Sequence, residues 1–131
     1  MGGYGALIHG LAHPERYAAV GAFSPVTTIR RGKFGPYDAL SGELRRKYEP
    51  EEILRTSSSL PPLYYSYGTE DYLLSCQDWF ETIIEKMNIT HEFRRREGFG
   101  HEWKLWDEEI EAFLSWLPRT DVCSKMERRS V

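Results

Sequence analysis

The chain opens Met1-Gly2-Gly3-Tyr4-Gly5-Ala6, with glycines leading into a helix expected over Gly2 to Ala12. Glycine permits backbone states and close approaches that a Cβ forbids. Pro14 ends the run, because it drives His13 out of helical geometry. A glycine-rich helix start is common and says little alone; two later stretches give it meaning. Gly68-Thr69-Glu70-Asp71 sets two adjacent carboxylates in a glycine-led loop, and Gly98-Phe99-Gly100-His101 ends in a histidine. The interval between the acids and the histidine is long enough for one helix and one strand, as a parallel crossover requires. An acid after one strand and a histidine after the next then meet at the same edge of a parallel sheet. Their chemistry is complementary: the carboxylate holds an imidazole in one tautomer, and the imidazole takes and returns the proton of a nucleophile. By residue type alone, Glu70 and Asp71 both qualify as the acid.

Around these loops the hydrophobic pattern alternates between strand and helix lengths. Tyr17 to Phe23 is a short apolar run entering Ser24-Pro25, and Leu63 to Tyr67, after Pro61-Pro62, is another. Cys76, Trp79, Phe80, Ile83, Ile84 and Met87 recur at the spacing of an amphipathic helix. Ile89 to Arg96 reads as a strand, with Arg94-Arg95-Arg96 as a solvated end at a sheet edge. Trp106, Ile110, Phe113, Leu114 and Leu117 form the apolar stripe of a last helix closed by Pro118. That stripe leaves Asp107, Glu108, Glu109 and Glu111 outside it or at its start. Residues 26–60 show no clear period; they carry Arg30, Arg31, Gly32, Lys33 and Gly35, a helix around Glu43 to Lys47, and a helical turn from Pro50. Any single residue of this stretch reads first as part of a solvated excursion. Strands separated by helices predict an α/β fold with a parallel sheet.

With 131 residues, 40% hydrophobic and 14% aromatic, the chain can bury one core. A net charge of −3 argues against nucleic-acid and anionic-membrane partners. No apolar run reaches the roughly 18 residues a membrane helix needs. Cys76 and Cys123 lack metal-ligand spacing and read as free thiols. No secretory signal opens the chain, which makes the cytoplasm the default location. His9 and His13 read as structural or exposed, and His91 as packed or solvated. Ser24, in Phe23-Ser24-Pro25, lacks the flanking glycines of a sharply turned nucleophile. Asn88-Ile89-Thr90 is a glycosylation sequon of consequence only in a secreted eukaryotic protein.

The residues from Met1 to Leu7, then His13-Pro14-Glu15-Arg16-Tyr17-Ala18-Ala19-Val20 and Phe23-Ser24, resemble one esterase family of the α/β-hydrolases. It includes esterase D, S-formylglutathione hydrolases, tributyrin esterases, and acetyl-xylan and feruloyl esterases. Tyr67 to Leu74 resembles its acid loop. Gly100-His101-Glu102-Trp103, with Trp106 and Phe113 to Pro118, resembles its histidine loop and final helix. The resemblance spans residues 1–118 as the C-terminal part of an α/β-hydrolase fold, about three mostly parallel strands with covering helices. It makes 26–60 an insert or cap region and leaves 119–131 as a charged tail. By this likeness Asp71 is the acid and His101 the base of a catalytic triad, with Tyr72 and Trp103 as pocket residues. The serine of the Gly-x-Ser-x-Gly elbow would fall one position ahead of Met1, whose backbone N–H would then serve the oxyanion hole. Gly3 would sit where no side chain can obstruct the turn, and Gly2 and Gly5 where the helix packs closely on the sheet.

The resemblance implies a serine carboxylesterase of small esters, working through an acyl-enzyme without metal or organic cofactor. The Gly-His-Glu-Trp context leans toward the small-ester, acetyl or feruloyl branch. This chain, lacking the nucleophile, is expected to be inactive alone. Two alternatives remain: an S-formylglutathione hydrolase-type thioesterase, and a non-catalytic binding or assembly module on the same partial fold. The second follows from strand 17–23, whose unpaired edge invites a homo-oligomer.

Overall fold

The computed structural model describes residues 1–30, 40–87 and 89–117. The expectations for Arg31, Gly32, Lys33, Gly35, Asn88, Pro118, Cys123 and the 119–131 tail lie outside the described residues. In chain order the elements are α1 (Gly2–Ala12), β1 (Val20–Phe23), α2 (Gly42–Lys47), α3 (Pro50–Thr56), β2 (Leu63–Gly68), α4 (Leu74–Ile84), β3 (His91–Arg96) and α5 (Trp103–Trp116). The three strands form one parallel sheet in the order β1-β2-β3, with Val20 opposite Leu63 and Leu63 opposite His91. The predicted α/β class and parallel sheet hold. No helix among the described residues is long and apolar enough to cross a membrane.

β1 is shorter than the expected 17–23. The ladder begins where Val20 N–H donates to the Pro62 carbonyl at 2.9 Å. Pro61 and Pro62 have no N–H to offer, so pairing cannot extend below that point. β3 likewise starts at His91, after Leu63 N–H donates to the Thr90 carbonyl at 3.0 Å.

Every residue of β2 is buried, so its alternating side chains serve two different faces. Leu63, Tyr65 and Tyr67 join Val20 and Ala22 in a core covered by α1, α3 and α4, where Leu7, Leu11, Leu54, Phe80 and Ile84 are sealed from solvent. Tyr64 points the other way, into an aromatic cluster with Phe23, Phe113 and Trp116 under α5. Aromatic edge-to-face contacts of this kind add specificity to the area they bury.

Two glycine expectations are corrected. Gly2 and Gly5 have open space where a Cβ would stand, whereas one at Gly10 would come within 2.1 Å of Val20 Cγ2 and one at Gly3 within 2.6 Å of the Phe23 carbonyl oxygen. The close helix–sheet approach therefore runs through Gly3 and Gly10, seven residues apart on one face of α1.

The stripe of α5 is also corrected. Ile110 and Leu114 are 40% and 54% exposed, while Glu109 is fully buried beside Leu105. Glu109 accepts from the Tyr64 hydroxyl at 2.6 Å, from Arg94 Nε at 3.1 Å and from Arg96 Nη1. A buried carboxylate survives only when its lone pairs are met by donors, preferably charged ones. Arg94 and Arg96 are thus not a solvated strand end: strand alternation turns both toward α5, while Arg95 faces Asp78 at 3.5 Å. Nor is the described part of 26–60 merely a solvated excursion. Thr27, Thr28, Ile29, Glu49 and Leu54 are buried, with Glu49 Oε2 accepting from Ile29 N–H at 3.1 Å.

Candidate active site

In a parallel sheet all strands end at the same edge, and that edge gathers the loops that carry function. Here the loop after β2 is tied to the loop after β3. Thr69 N–H donates to the Arg96 carbonyl at 3.0 Å, Glu70 N–H to the Phe99 carbonyl at 2.9 Å, and Gly98 N–H to Thr69 Oγ1 at 2.9 Å. The crossing is so close that a Cβ on Gly68 would lie 1.9 Å from the Phe99 carbonyl oxygen. Only glycine lets these two loops meet.

That junction brings Asp71 to His101. His101 Nδ1 lies 3.0 Å from Asp71 Oδ2, and the Asp71 side chain is fully buried. Leu73 N–H donates to Asp71 Oδ1 at 2.9 Å, and Gln77 Nε2 reaches Oδ2 at 3.3 Å. Both carboxylate oxygens therefore have hydrogen-bond partners, as a buried carboxylate requires. Glu70, the other carboxylate of the loop, is exposed. With Nδ1 committed to the carboxylate, Nε2 is the ring nitrogen left to exchange a proton.

Aromatic rings hold the imidazole. Tyr72 lies 4.9 Å from it between centroids, and Trp106 meets it at 5.0 Å, nearly perpendicular at 85°. Trp103 packs on Trp106 at 5.2 Å. Tyr72 and Trp103 are 77% and 76% exposed; the first presents open ring surface against His101 and the second against Trp106. Ser24 is buried and accepts a hydrogen bond from Trp106 Nε1 at 3.0 Å, an arrangement unlike that of an exposed nucleophile.

Met1 caps α1 and is 70% exposed. Gly3, two residues on, approaches Phe23 and Pro25 at the end of β1. Pro25 in turn accepts from Gln77 Nε2 at 3.4 Å. The start of α1 is thus at the strand-end edge that also carries Asp71 and His101.

Sequence reasoning missed Gln77. It is fully buried and its amide bridges Asp71 and Pro25; the reversed amide would set two acceptors face to face, so Nε2 points to the carboxylate. A signal was present: a glutamine inside the apolar stripe of Cys76, Phe80 and Ile84.

A parallel sheet with helices on both faces, and an acid and a histidine on consecutive strand ends, match the C-terminal part of an α/β-hydrolase fold. The chain belongs to the esterase family described as "Putative esterase", whose model it matches over residues 1–117. Among solved structures it is similar to the fluorophosphonate-binding serine hydrolase F of Staphylococcus aureus, with a TM-score of 0.74 at 20% identity over 88% of this chain and 50% of that one. It is similar to an S-formylglutathione hydrolase from Agrobacterium tumefaciens, with a TM-score of 0.73 at 21% identity over 88% and 44%. A ferulic acid esterase matches with a TM-score of 0.71 at 24% identity over 91% and 49%. The chain spans about half the length of these structures, and at these identities the likeness establishes the α/β-hydrolase fold.

Proposed function

We propose that this chain supplies the acid and base of a serine carboxylesterase, Asp71 and His101, with the nucleophile carried on the other half of the fold. The observation that carries the reading is the 3.0 Å contact between His101 Nδ1 and the buried Asp71. His101 Nε2 makes no hydrogen bond to a hydroxyl among the described residues. In the complete fold a serine directly ahead of Met1 takes the elbow position. His101 accepts its proton as the oxygen attacks the ester carbonyl, and Asp71 stabilises the imidazolium. The Met1 N–H and a second donor from the other half bind the oxyanion. His101 then protonates the leaving alcohol, and water releases the acid from the acyl-enzyme by the reverse sequence. Tyr72 and Trp103 line the acyl or alcohol pocket; no metal or cofactor enters, and the enzyme works on small esters in the cytoplasm.

The test is hydrolysis of p-nitrophenyl acetate and butyrate by the 131-residue chain beside a protein extended upstream through a serine elbow. Activity only in the extended protein supports the reading. Activity in the short chain that is lost with His101→Ala overturns it, because another nucleophile would be at work. S-formylglutathione in the same assay separates the thioesterase branch.

A second reading rests on β1, which pairs only with β2 among the described residues. A non-catalytic module that pairs through this edge, with a second copy or another strand, predicts a stable dimer by light scattering and no ester hydrolysis in the extended protein.

A further inference from the structure

We infer that Ser24 and Trp106 form a strut whose work is to hold the His101 ring at a fixed tilt. The inference deepens the esterase reading and rests on it for the role of His101. Ser24 directly follows β1, and its N–H donates to the Ser66 carbonyl at 2.8 Å. Its φ is +43°, and it is the one non-glycine residue with positive φ among the described residues. Glycine adopts that conformation freely, whereas a residue with a Cβ is disfavoured in it. A side chain kept at such a site points to a use for that side chain. The use visible here is acceptance: Ser24 Oγ takes the indole N–H of Trp106 at 3.0 Å, across 82 positions of sequence.

Trp106 is the ring that stands perpendicular to His101 at 5.0 Å. An indole N–H turned into protein needs an acceptor, and without one the ring rotates to find water. The bond to Asp71 fixes one imidazole nitrogen but leaves the ring free to tilt about it. Nε2, on the far side of the ring, swings most. Proton transfer needs that nitrogen within hydrogen-bond reach of its partner, and small displacements cost rate steeply. Tyr72 bounds one side of the ring and is largely exposed. Trp106, anchored through Ser24 and backed by Trp103, is the second ring packed against the imidazole. Ser24 and Trp106 are therefore positioning residues, acting through His101.

The decisive variant is Ser24→Gly, which suits the backbone while deleting the acceptor. In the 131-residue chain, long-range ¹H–¹⁵N spectra report the His101 tautomer, and the ring protons of His101 report the attitude of Trp106. The expected result is an unchanged or raised melting temperature, displaced His101 ring-proton shifts, and a smaller share of the Nδ1–H tautomer. Trp106→Phe, which keeps a ring but loses the N–H, moves the tautomer balance the same way. In the extended enzyme, Ser24→Gly lowers kcat about tenfold or more with KM within about twofold. Identical His101 spectra in wild type and both variants overturn the strut. Shifted His101 spectra with no ester hydrolysis in the extended protein keep the strut and sink the esterase reading.

Discussion

The Tyr64 hydroxyl donates to Glu109 Oε2 at 2.6 Å, and neither side chain is open to solvent. The pair joins the central strand to α5, the helix that carries Trp106, and it recruits Arg94 and Arg96 from β3. Burial, together with the bond to Glu109, raises the Tyr64 phenol well above its ordinary 10.0. Removing the carboxylate strands a buried hydroxyl, takes the Glu109 partner from Arg94, and leaves Arg96 with Glu108 alone. Glu109→Ala should cost about 2–4 kcal/mol of unfolding free energy, and Tyr64→Phe about 1 kcal/mol. Urea denaturation of both single variants and the double checks this; strictly additive losses would mean the two groups do not act together.

Gly10 and Gly5 make opposite predictions from the same helix. Alanine is favoured over glycine in a helix by up to about 1 kcal/mol. At Gly5 a Cβ meets nothing within 4 Å, so Gly5→Ala should be neutral or stabilising. At Gly10 the new Cβ would fall 2.1 Å from a Val20 methyl, and overpacking of that kind costs about 1–3 kcal/mol. Thermal unfolding should show Gly10→Ala melting lower than wild type. Equal melting temperatures would show that α1 can lift from β1 at no cost.

Glu49 gives the chain a pH-dependent element. Burial raises its pKa above the ordinary 4.5, against the lowering effects of the Thr28 and Ile29 hydrogen bonds and of Arg30. Its Oε1 is buried with no hydrogen-bond partner among the described residues. The native state therefore holds this proton to higher pH than the unfolded chain does. Between 4.5 and the raised pKa the unfolded state binds fewer protons, so this contribution to stability falls as pH rises. It is fully present below 4.5 and is lost as pH climbs through the folded-state value. Glu49→Gln should gain on wild type across that window when urea midpoints are compared from pH 4 to 8. A difference that stays constant with pH would exclude Glu49 as the source.

Asp71→Asn and His101→Ala, placed in the extended protein, test the proposed chemistry. Each should lower kcat on p-nitrophenyl esters, by on the order of 10⁴-fold for the asparagine variant. Asp71 also anchors Leu73 N–H and Gln77, so circular dichroism must show the fold retained. Near-normal turnover in either variant would remove that residue from the mechanism.

The elements were largely legible because their signals are local. Pro61-Pro62 before an apolar run marks the start of β2, and the three- and four-residue steps from Cys76 mark α4. Glu109 was not legible. A polarity pattern assigns a glutamate to the outside, and only the convergence of Tyr64, Arg94 and Arg96 from two strands reverses that. Tyr17 to Ala19 extend the apolar run of β1, but continuing the register sets Ala19 and Ala18 opposite Pro62 and Pro61, which have no N–H with which to carry the ladder on.

The sequence by itself determined that strands alternate with helices, that the sheet is parallel, and that an acid-bearing loop and a histidine-bearing loop follow successive strands. Periodicity and loop composition carry those facts residue by residue. The tertiary structure brought Asp71, the acid that the resemblance names, against His101, and it alone decided that Gly3 and Gly10 rather than Gly2 and Gly5 take the close approach and that Ser24 braces Trp106. These depend on which distant residues come into contact, and a contact across 30 or 82 positions leaves no periodic trace in the chain.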